Sequence, residues 1–340
     1  EKFLIATGAL ATVPPISGIE ETEYLTSENF APHRRPPRSL IVLGAGVLGL
    51  EFAQMFWSFG TKVTIAQRHQ QIMTSIEPEV AKAAQLYFED DGINILTHAT
   101  VEAVFEEGDA KKVRIRTGAT RHTYSAKEIF LAGSRWPNTN DLGLEIAGVA
   151  VDSQGAIITD DEFVTSVPHI RAAGDVTGDP MFENVAKEEG FMAAENALTA
   201  EHLQIDYDAI PFCVFTSPEM AQVGILEEQA QSSGHNTVSR TLSFDSVPRA
   251  RIDHNIRGLI KMTAEDDTRR ILGVSIVSDQ AGDIINEAAM AIKYKLTVED
   301  LSSMIHAHPT LAEVLPLIAQ TFARDSRAEI QMIEKKRRAA

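Results

Sequence analysis

Cysteine is nearly missing from this chain: Cys213 stands alone in 340 residues. One thiol cannot close an internal disulfide or form a cysteine-pair redox centre within these residues. That scarcity fits a reducing, cytoplasmic setting. Long apolar runs are missing as well. No stretch reaches the roughly 18 residues that span a bilayer. Glu1 to Gly8 lacks the basic flank and extended apolar core of a secretion signal. No membrane partner is expected. Positive charge is in deficit, with a formal net charge of −17. A field of that sign repels a phosphate backbone, which argues against nucleic acid as a partner. There is no internal repeat and no low-complexity segment.

The composition that remains is that of an ordinary globular protein, 44% apolar and 23% charged. The length allows two or three domains. Phe3 to Ala6 is an apolar run stopped by Thr7-Gly8, and the proline-rich, basic stretch from Pro32 to Arg38 reads as a linker. Ser39 to Leu43 has the unbroken apolar character of a buried parallel strand. Leu48 to Phe59 has helical spacing and ends at Gly60, and Lys62 to Ala66 is a second strand. Together they predict a βαβ unit.

The spacing predicts a helix over Glu77 to Asp91, with Pro78 in its first turn. Ile93 to Leu96 reads as a strand. Val101 to Glu106 and Val113 to Arg116 read as antiparallel strands around a Gly-Asp turn, and Glu128 to Ala132 as a closing strand. A second glycine-marked strand end, Ala173-Gly174-Asp175, precedes a long helix from Glu183 to Leu198. Beyond about Asp208 the pattern changes. Leu259 to Ala264 and Ile271 to Val277 alternate as a hairpin, and helices follow at Gly282 to Tyr294 and Val298 to Ile305, an α+β arrangement. Lys335 to Arg338 reads as a frayed, solvated tail.

The sharpest local signal is Gly44-x-Gly46-x-x-Gly49-x-Glu51. Gly44 allows a tight turn, Gly46 lets a pyrophosphate approach the backbone, and Gly49 lets helix and strand pack closely. The helix start then offers free N–H groups and a positive dipole end to phosphate. At the end of the second strand, an enzyme for NAD usually carries Asp or Glu for the ribose 2′-OH. Here the residues are Ala66-Gln67-Arg68-His69. With no carboxylate to repel it, a 2′-phosphate can pair with Arg68, so NADPH is favoured and NADH stays open. Arg68 as a plain surface charge is the alternative.

In their order, Ala6-Thr7-Gly8, the glycine fingerprint, Trp136-Pro137-Asn138-Thr139 and Ala173-Gly174-Asp175 resemble the class I pyridine nucleotide-disulfide oxidoreductases. That family includes dihydrolipoamide dehydrogenase, glutathione reductase and mercuric reductase. The resemblance continues through Phe215-Thr216-Ser217-Pro218-Glu219 and His306-Ala307-His308-Pro309-Thr310-Leu311-Ala312-Glu313. Val247 to Ala250, Arg257 to Lys261 and Ile318 to Phe322 look most like mercuric reductases.

The resemblance implies an α/β fold of FAD/NAD(P)-binding Rossmann-like domains followed by an α+β interface domain. Residues 1–36 and 149–207 would form part of a split FAD-binding domain. Residues 37–148 would form the NAD(P)H-binding domain, and 208–340 the dimerisation domain of a homodimer. Thr7, Gly8, Gly133, Gly174, Asp175 and Ala186 would contact cofactor. Asp175 would bind the FAD ribitol or ribose-phosphate region, the helix starting near Asn184 and Ala186 would point at the flavin pyrimidine edge, and Glu51 would lie towards the nicotinamide. An aspartate after glycine is also a common turn residue. His308, steadied by Glu313, would be the base that takes a thiol proton in the partner chain's active site. By its own chemistry, a histidine near a helix start is also a common structural residue. Pro309 suits the first turn of a helix, which would place His308 just outside its start. His306 reads as a packing residue or one that supports the site from behind.

Departures matter too. The family's first FAD fingerprint and its Cys-x4-Cys pair are not in these residues, so the chain reads as a fragment whose FAD pyrophosphate cradle and redox disulfide lie elsewhere. Gln331 to Ala340 holds no terminal cysteine pair of the mercuric reductase kind, and His306 to Thr310 departs towards the dihydrolipoamide type. Ser134 stands where glycine is usual before Arg135, and its side chain is expected to crowd that position. Cys213 reads as a buried, inert thiol. The substrate is left among Hg(II), a dithiol and a small disulfide. A non-catalytic homodimeric nucleotide-binding module is the alternative from another class.

Overall fold

The computed structural model describes residues 1–30, 35–178 and 180–323. Part of the proline-rich stretch and the whole basic tail from Lys335 to Arg338 lie outside the described residues. The chain divides into two compact units, Glu1–Pro15 with Gly133–Tyr207, and Ile16–Ala132 with Asp208 onward.

In the first unit, strand β1 (Phe3–Ile5) pairs in parallel with β11 (Ile170–Ala172), and β2 (Ala9–Ala11) pairs antiparallel with β10 (Arg135–Pro137). The short helix α3 (Leu144–Ala147) and the long helix α4 (Glu183–Leu198) belong to the same unit. Its small core gathers Leu144, Val149, Ile157, Ile170, Ala172 and Val176.

The second unit begins with a parallel sheet in the order β5 (Asn94–Leu96), β4 (Lys62–Ala66), β3 (Ser39–Leu43), β9 (Glu128–Leu131). Helix α1 (Val47–Ser58) links β3 to β4, and α2 (Pro78–Asp90) links β4 to β5. Strand β3 shows why its sequence is apolar throughout. Leu40 and Val42 face one core with Leu50, Ala53 and Phe56 of α1, while Ile41 and Leu43 face a second core. A strand covered on both sides has no polar face to present.

The second core is closed by an antiparallel sheet of β6 (Ala99–Glu107), β7 (Ala110–Thr117) and β8 (Thr120–Ala126). The first two strands and the Gly108-Asp109 turn match expectation. Strand β8 was not anticipated. It is an edge strand, exposed along most of its length and rich in Thr, Ser and His, so no apolar alternation marks it.

Past Asp208, five antiparallel strands run β12 (Phe212–Val214), β13 (Glu219–Gly224), β16 (Ile271–Ser278), β15 (Leu259–Glu265), β14 (Thr237–Ser243). The expected hairpin is β15–β16. One face of this sheet packs on α7 (Ala281–Lys293) and on the helical residues 314–323, burying Ile284, Ile285, Ala288, Leu315 and Phe322. On the other face, Val214, Met220 and Val277 join the same core as α1 and α2. Short helices α5 (Glu227–Ser232), α6 (Pro248–Ile252) and α8 (Val298–Ser303) complete the unit.

The two compact units divide near residues 16 and 133, whereas the expected domains divide near 36 and 149. Residues 16–30 belong with the nucleotide-fingerprint region, because Leu25 bridges Phe130, Ser17 bridges Ala103 and Ile19 enters the core on that side. Pro309 does not open a helix. It lies before the helical turn, which begins at Leu311 after Thr310, whose amide donates to the Glu313 carboxylate.

Candidate functional site

The fingerprint turn leaves the carboxyl end of β3 and enters α1. Gly44 has φ +111, and a Cβ there would lie 2.5 Å from the Ala132 carbonyl oxygen. Only glycine suits both its conformation and its surroundings. A Cβ on Gly49 would lie 2.2 Å from the Gly44 carbonyl oxygen, so this position lets the helix press onto the turn. Gly46 differs from both. It is the helix N-cap, with no side-chain cap, and a Cβ there would meet nothing within 4 Å. Gly46 is exposed, so the start of α1 is open at the residue that has no side chain. That cradle fits a diphosphate.

Arg68 follows β4 and is exposed; its Nε lies 3.1 Å from His69 Nε2. No carboxylate stands among Ala66 to His69. Glu51, expected towards the nicotinamide, accepts a hydrogen bond from the Phe215 amide at 2.8 Å, and Gln54 of the same helix binds the Ser217 backbone at both its N–H and its carbonyl.

In the first unit, Gly8 has φ +71, and Thr7 donates to the Asn138 carbonyl at 2.7 Å. Gly133 packs against Thr12, whose oxygen would lie 2.7 Å from a Cβ there. Ser134, expected to crowd its surroundings, is exposed, and its carbonyl accepts from Thr12. Gly174 follows β11 with φ +78, and a Cβ there would stand 3.1 Å from the Ala186 methyl on α4. Asp175, 21% exposed in its side chain, has the Arg135 guanidinium as its charged partner at 3.7 Å. With its cation at 3.7 Å, this largely covered carboxylate keeps acceptor capacity for a hydroxyl.

Two residues that no motif marked complete this corner. Glu189 of α4 is 3% exposed, and its carboxylate accepts from the Gly174 amide at 2.7 Å and the Tyr207 hydroxyl at 2.6 Å. The only sequence signal was spacing: Glu189 follows Ala186 by three positions, on one helix face.

In the second unit, His308 Nδ1 lies 2.9 Å from Glu313 Oε1, while Glu313 Oε2 accepts from the Thr310 amide at 2.8 Å. The hydrogen bond from His308, then that from Thr310, holds the Glu313 carboxyl below the usual carboxylate range. The imidazole is 66% exposed, and its Nε2 has no protein partner among the described residues. His306 instead points inward onto Glu287 at 2.9 Å, as a packing residue should. Cys213 on β12 is half-buried. Burial first, then Glu219, Glu51 and Asp283, pushes its thiol up to about 12, so it stays protonated and inert.

A buried ion cluster also escaped the sequence. Lys261 on β15 reaches Glu77 and Glu79 at 3.0 Å and Glu227 at 2.7 Å. Burial opposes its charge, but bonds to Glu227, Glu79 and Glu77 more than offset this and raise its pKa. No group of residues suited to a metal ion, and no helix long and apolar enough to cross a membrane, occurs among the described residues.

Residues 1–198 match the family described as pyridine nucleotide-disulphide oxidoreductase, and residues 210–319 match its dimerisation domain. A mercuric reductase of Bacillus cereus is 38% identical over 325 residues, covering 96% of this chain and 52% of that protein. One of Streptomyces lividans is 38% identical over 323 residues, covering 95% and 68%. The HOCl-induced flavoprotein disulfide reductase RclA of Escherichia coli superposes with a TM-score of 0.84 at 31% identity, covering 94% of this chain and 73% of that one. LpdA of Mycobacterium tuberculosis superposes with 0.84 at 25% identity, covering 94% and 69%. The chain spans about half the length of the Bacillus cereus relative. With both its segments matched, in the same order as the fingerprint turn and the five-stranded sheet, the chain belongs to the pyridine nucleotide-disulphide oxidoreductase family.

Proposed function

We propose that this chain is the nicotinamide-binding and dimerisation part, with a portion of the flavin site, of a homodimeric FAD-dependent NADPH:disulfide oxidoreductase working in the cytoplasm. The observation that carries the reading is the start of α1, where the N-cap Gly46 has no side-chain cap and nothing stands within 4 Å of where its Cβ would be. Arg68 supplies a cation for a 2′-phosphate, which favours NADPH over NADH.

When bound, NADPH and FAD supply a hydride relay to a cysteine disulfide outside these residues. The chain's own groups bind, orient and move protons. Asp175 would accept from the sugar chain of FAD, and the start of α4 would offer its positive end to the flavin. Glu313 engages Nδ1 of His308, which fixes the tautomer and leaves Nε2 to take a thiol proton. The exposed ring lets a partner chain's substrate reach that nitrogen.

A thiol–disulfide substrate is supported by the His308–Glu313 pair, and Hg(II) by the names of the relatives. NADPH oxidation by the whole protein, measured with lipoamide, a small disulfide and Hg(II) in turn, separates the two. The central reading is tested by NADPH titration of Gly46→Val. The valine is expected to abolish nucleotide binding with the fold intact. Unchanged affinity would remove α1 from the nucleotide site.

A further inference from the structure

We propose that Glu189 is a positioning residue for the flavin: its buried carboxylate ties the Gly174–Asp175 turn to helix α4 and so sets where the Asp175 side chain stands. The proposal rests on the flavin reading of this unit and deepens it.

A carboxylate stays out of water only where fixed donors replace its hydration. Glu189 has two, one for each oxygen. The Gly174 amide lies 2.7 Å from Oε2 and the Tyr207 hydroxyl 2.6 Å from Oε1. Burial, then the Glu189 carboxylate and then Asp161, raises the Tyr207 hydroxyl above its ordinary pKa, so it remains an O–H donor. Tyr207 is the last residue of the unit and donates to the carboxylate from there.

The same helix face grips the turn by contact. Ala186, one turn ahead of Glu189, leaves 3.1 Å to a Cβ on Gly174. Thr177 then donates to the Gly174 carbonyl from its amide at 2.8 Å and its hydroxyl at 2.9 Å. Both peptide groups of Gly174 are therefore held, and Asp175 is the next residue. Close packing alone would accept an apolar side chain at 189. A buried charge that binds one backbone N–H adds direction, because a charged acceptor makes the shorter and stronger hydrogen bond. Small errors in such a support displace the group it carries.

The test uses the FAD-loaded whole protein and reads flavin release after dilution, by the fluorescence of free flavin. Glu189→Met keeps the volume and removes the acceptor, leaving the Gly174 amide without a partner. FAD should be held roughly tenfold more weakly. Glu189→Gln can accept from Gly174 through its carbonyl and donate its NH2 to the Tyr207 oxygen, so its FAD retention should stay within about threefold of the parent. NADPH affinity should be unchanged in both. If Glu189→Met does not fold, Tyr207→Phe decides, with an expected weakening of about threefold. FAD retention equal to the parent in Glu189→Met, or in Tyr207→Phe where that variant decides, overturns the proposal. So does a Gln variant as weak as Met, or an equal loss of NADPH affinity. A parent protein that binds no FAD at all would instead sink the flavin reading beneath it.

Discussion

The same added methyl should have opposite consequences at two glycines three residues apart. In Gly49→Ala the new Cβ would lie 2.2 Å from the Gly44 carbonyl oxygen and 3.2 Å from the Ala132 methyl. Ordinary contact needs more than an ångström beyond the first of these. The turn cannot yield readily, since Gly44 donates to Ala66 at 2.9 Å and itself crowds Ala132. Overpacking of this kind costs about 1–3 kcal/mol, and the helix preference of alanine returns roughly 1 kcal/mol of that. A net loss of about 1 kcal/mol lowers the melting temperature by roughly 2–4 °C for a unit of this size. In Gly46→Ala the methyl meets nothing within 4 Å, at φ −82, which alanine adopts freely. The fold should melt within a degree or two of the parent. The methyl would, however, stand where phosphate oxygens approach the amides. Loss of one charge-assisted hydrogen bond, about 1.5–3 kcal/mol, weakens NADPH roughly ten- to a hundredfold. Melting curves and NADPH fluorescence titration of both variants decide the matter. A Gly46→Ala protein that binds NADPH like the parent but melts lower than Gly49→Ala would refute the reasoning.

Further expectations concern single side chains. Arg68→Glu should weaken NADPH far more than NADH in parallel titrations; equal effects would take Arg68 away from the 2′-phosphate. His308→Ala in the whole protein should slow disulfide turnover and leave flavin reduction by NADPH intact, as stopped-flow absorbance would show; unchanged turnover would make His308 structural. Because the folded Glu313 carboxyl titrates below its ordinary value, its contribution to stability is full above the unfolded pKa and fades as pH falls through the lowered one. Glu313→Gln should flatten that acid limb of the stability profile. Lys261→Met leaves Glu77, 5% exposed, as a buried and unneutralised charge, so urea denaturation should reveal a loss of about 3–5 kcal/mol, partly restored by adding Glu77→Gln. A loss below 1 kcal/mol would mean that water reaches the cluster.

Much of the architecture was legible along the chain because its signals are local. A strand buried on both faces must be apolar throughout, as Ser39 to Leu43 is, and a turn against a helix start must be glycine where its Cβ would strike a carbonyl. Helix α4 and the β15–β16 hairpin carried their own spacing. Strand β8 did not, since an exposed edge strand has no face that must be apolar. The strand–turn–helix context of the glycine fingerprint and the contact of His308 with Glu313, five positions on, were likewise local.

Tertiary structure alone decided the rest. Residues 16–30 took their place through single bridges to Ala103 and Phe130, which leave no pattern in the sequence. Lys261 meets Glu77 across 184 positions, and Glu189 meets Tyr207 across 18 and Gly174 across 15. A buried charge looks like any other charge in a sequence. What makes it matter is the loss of water around it and the arrival of fixed donors or counter-charges, and both exist only once distant segments pack together.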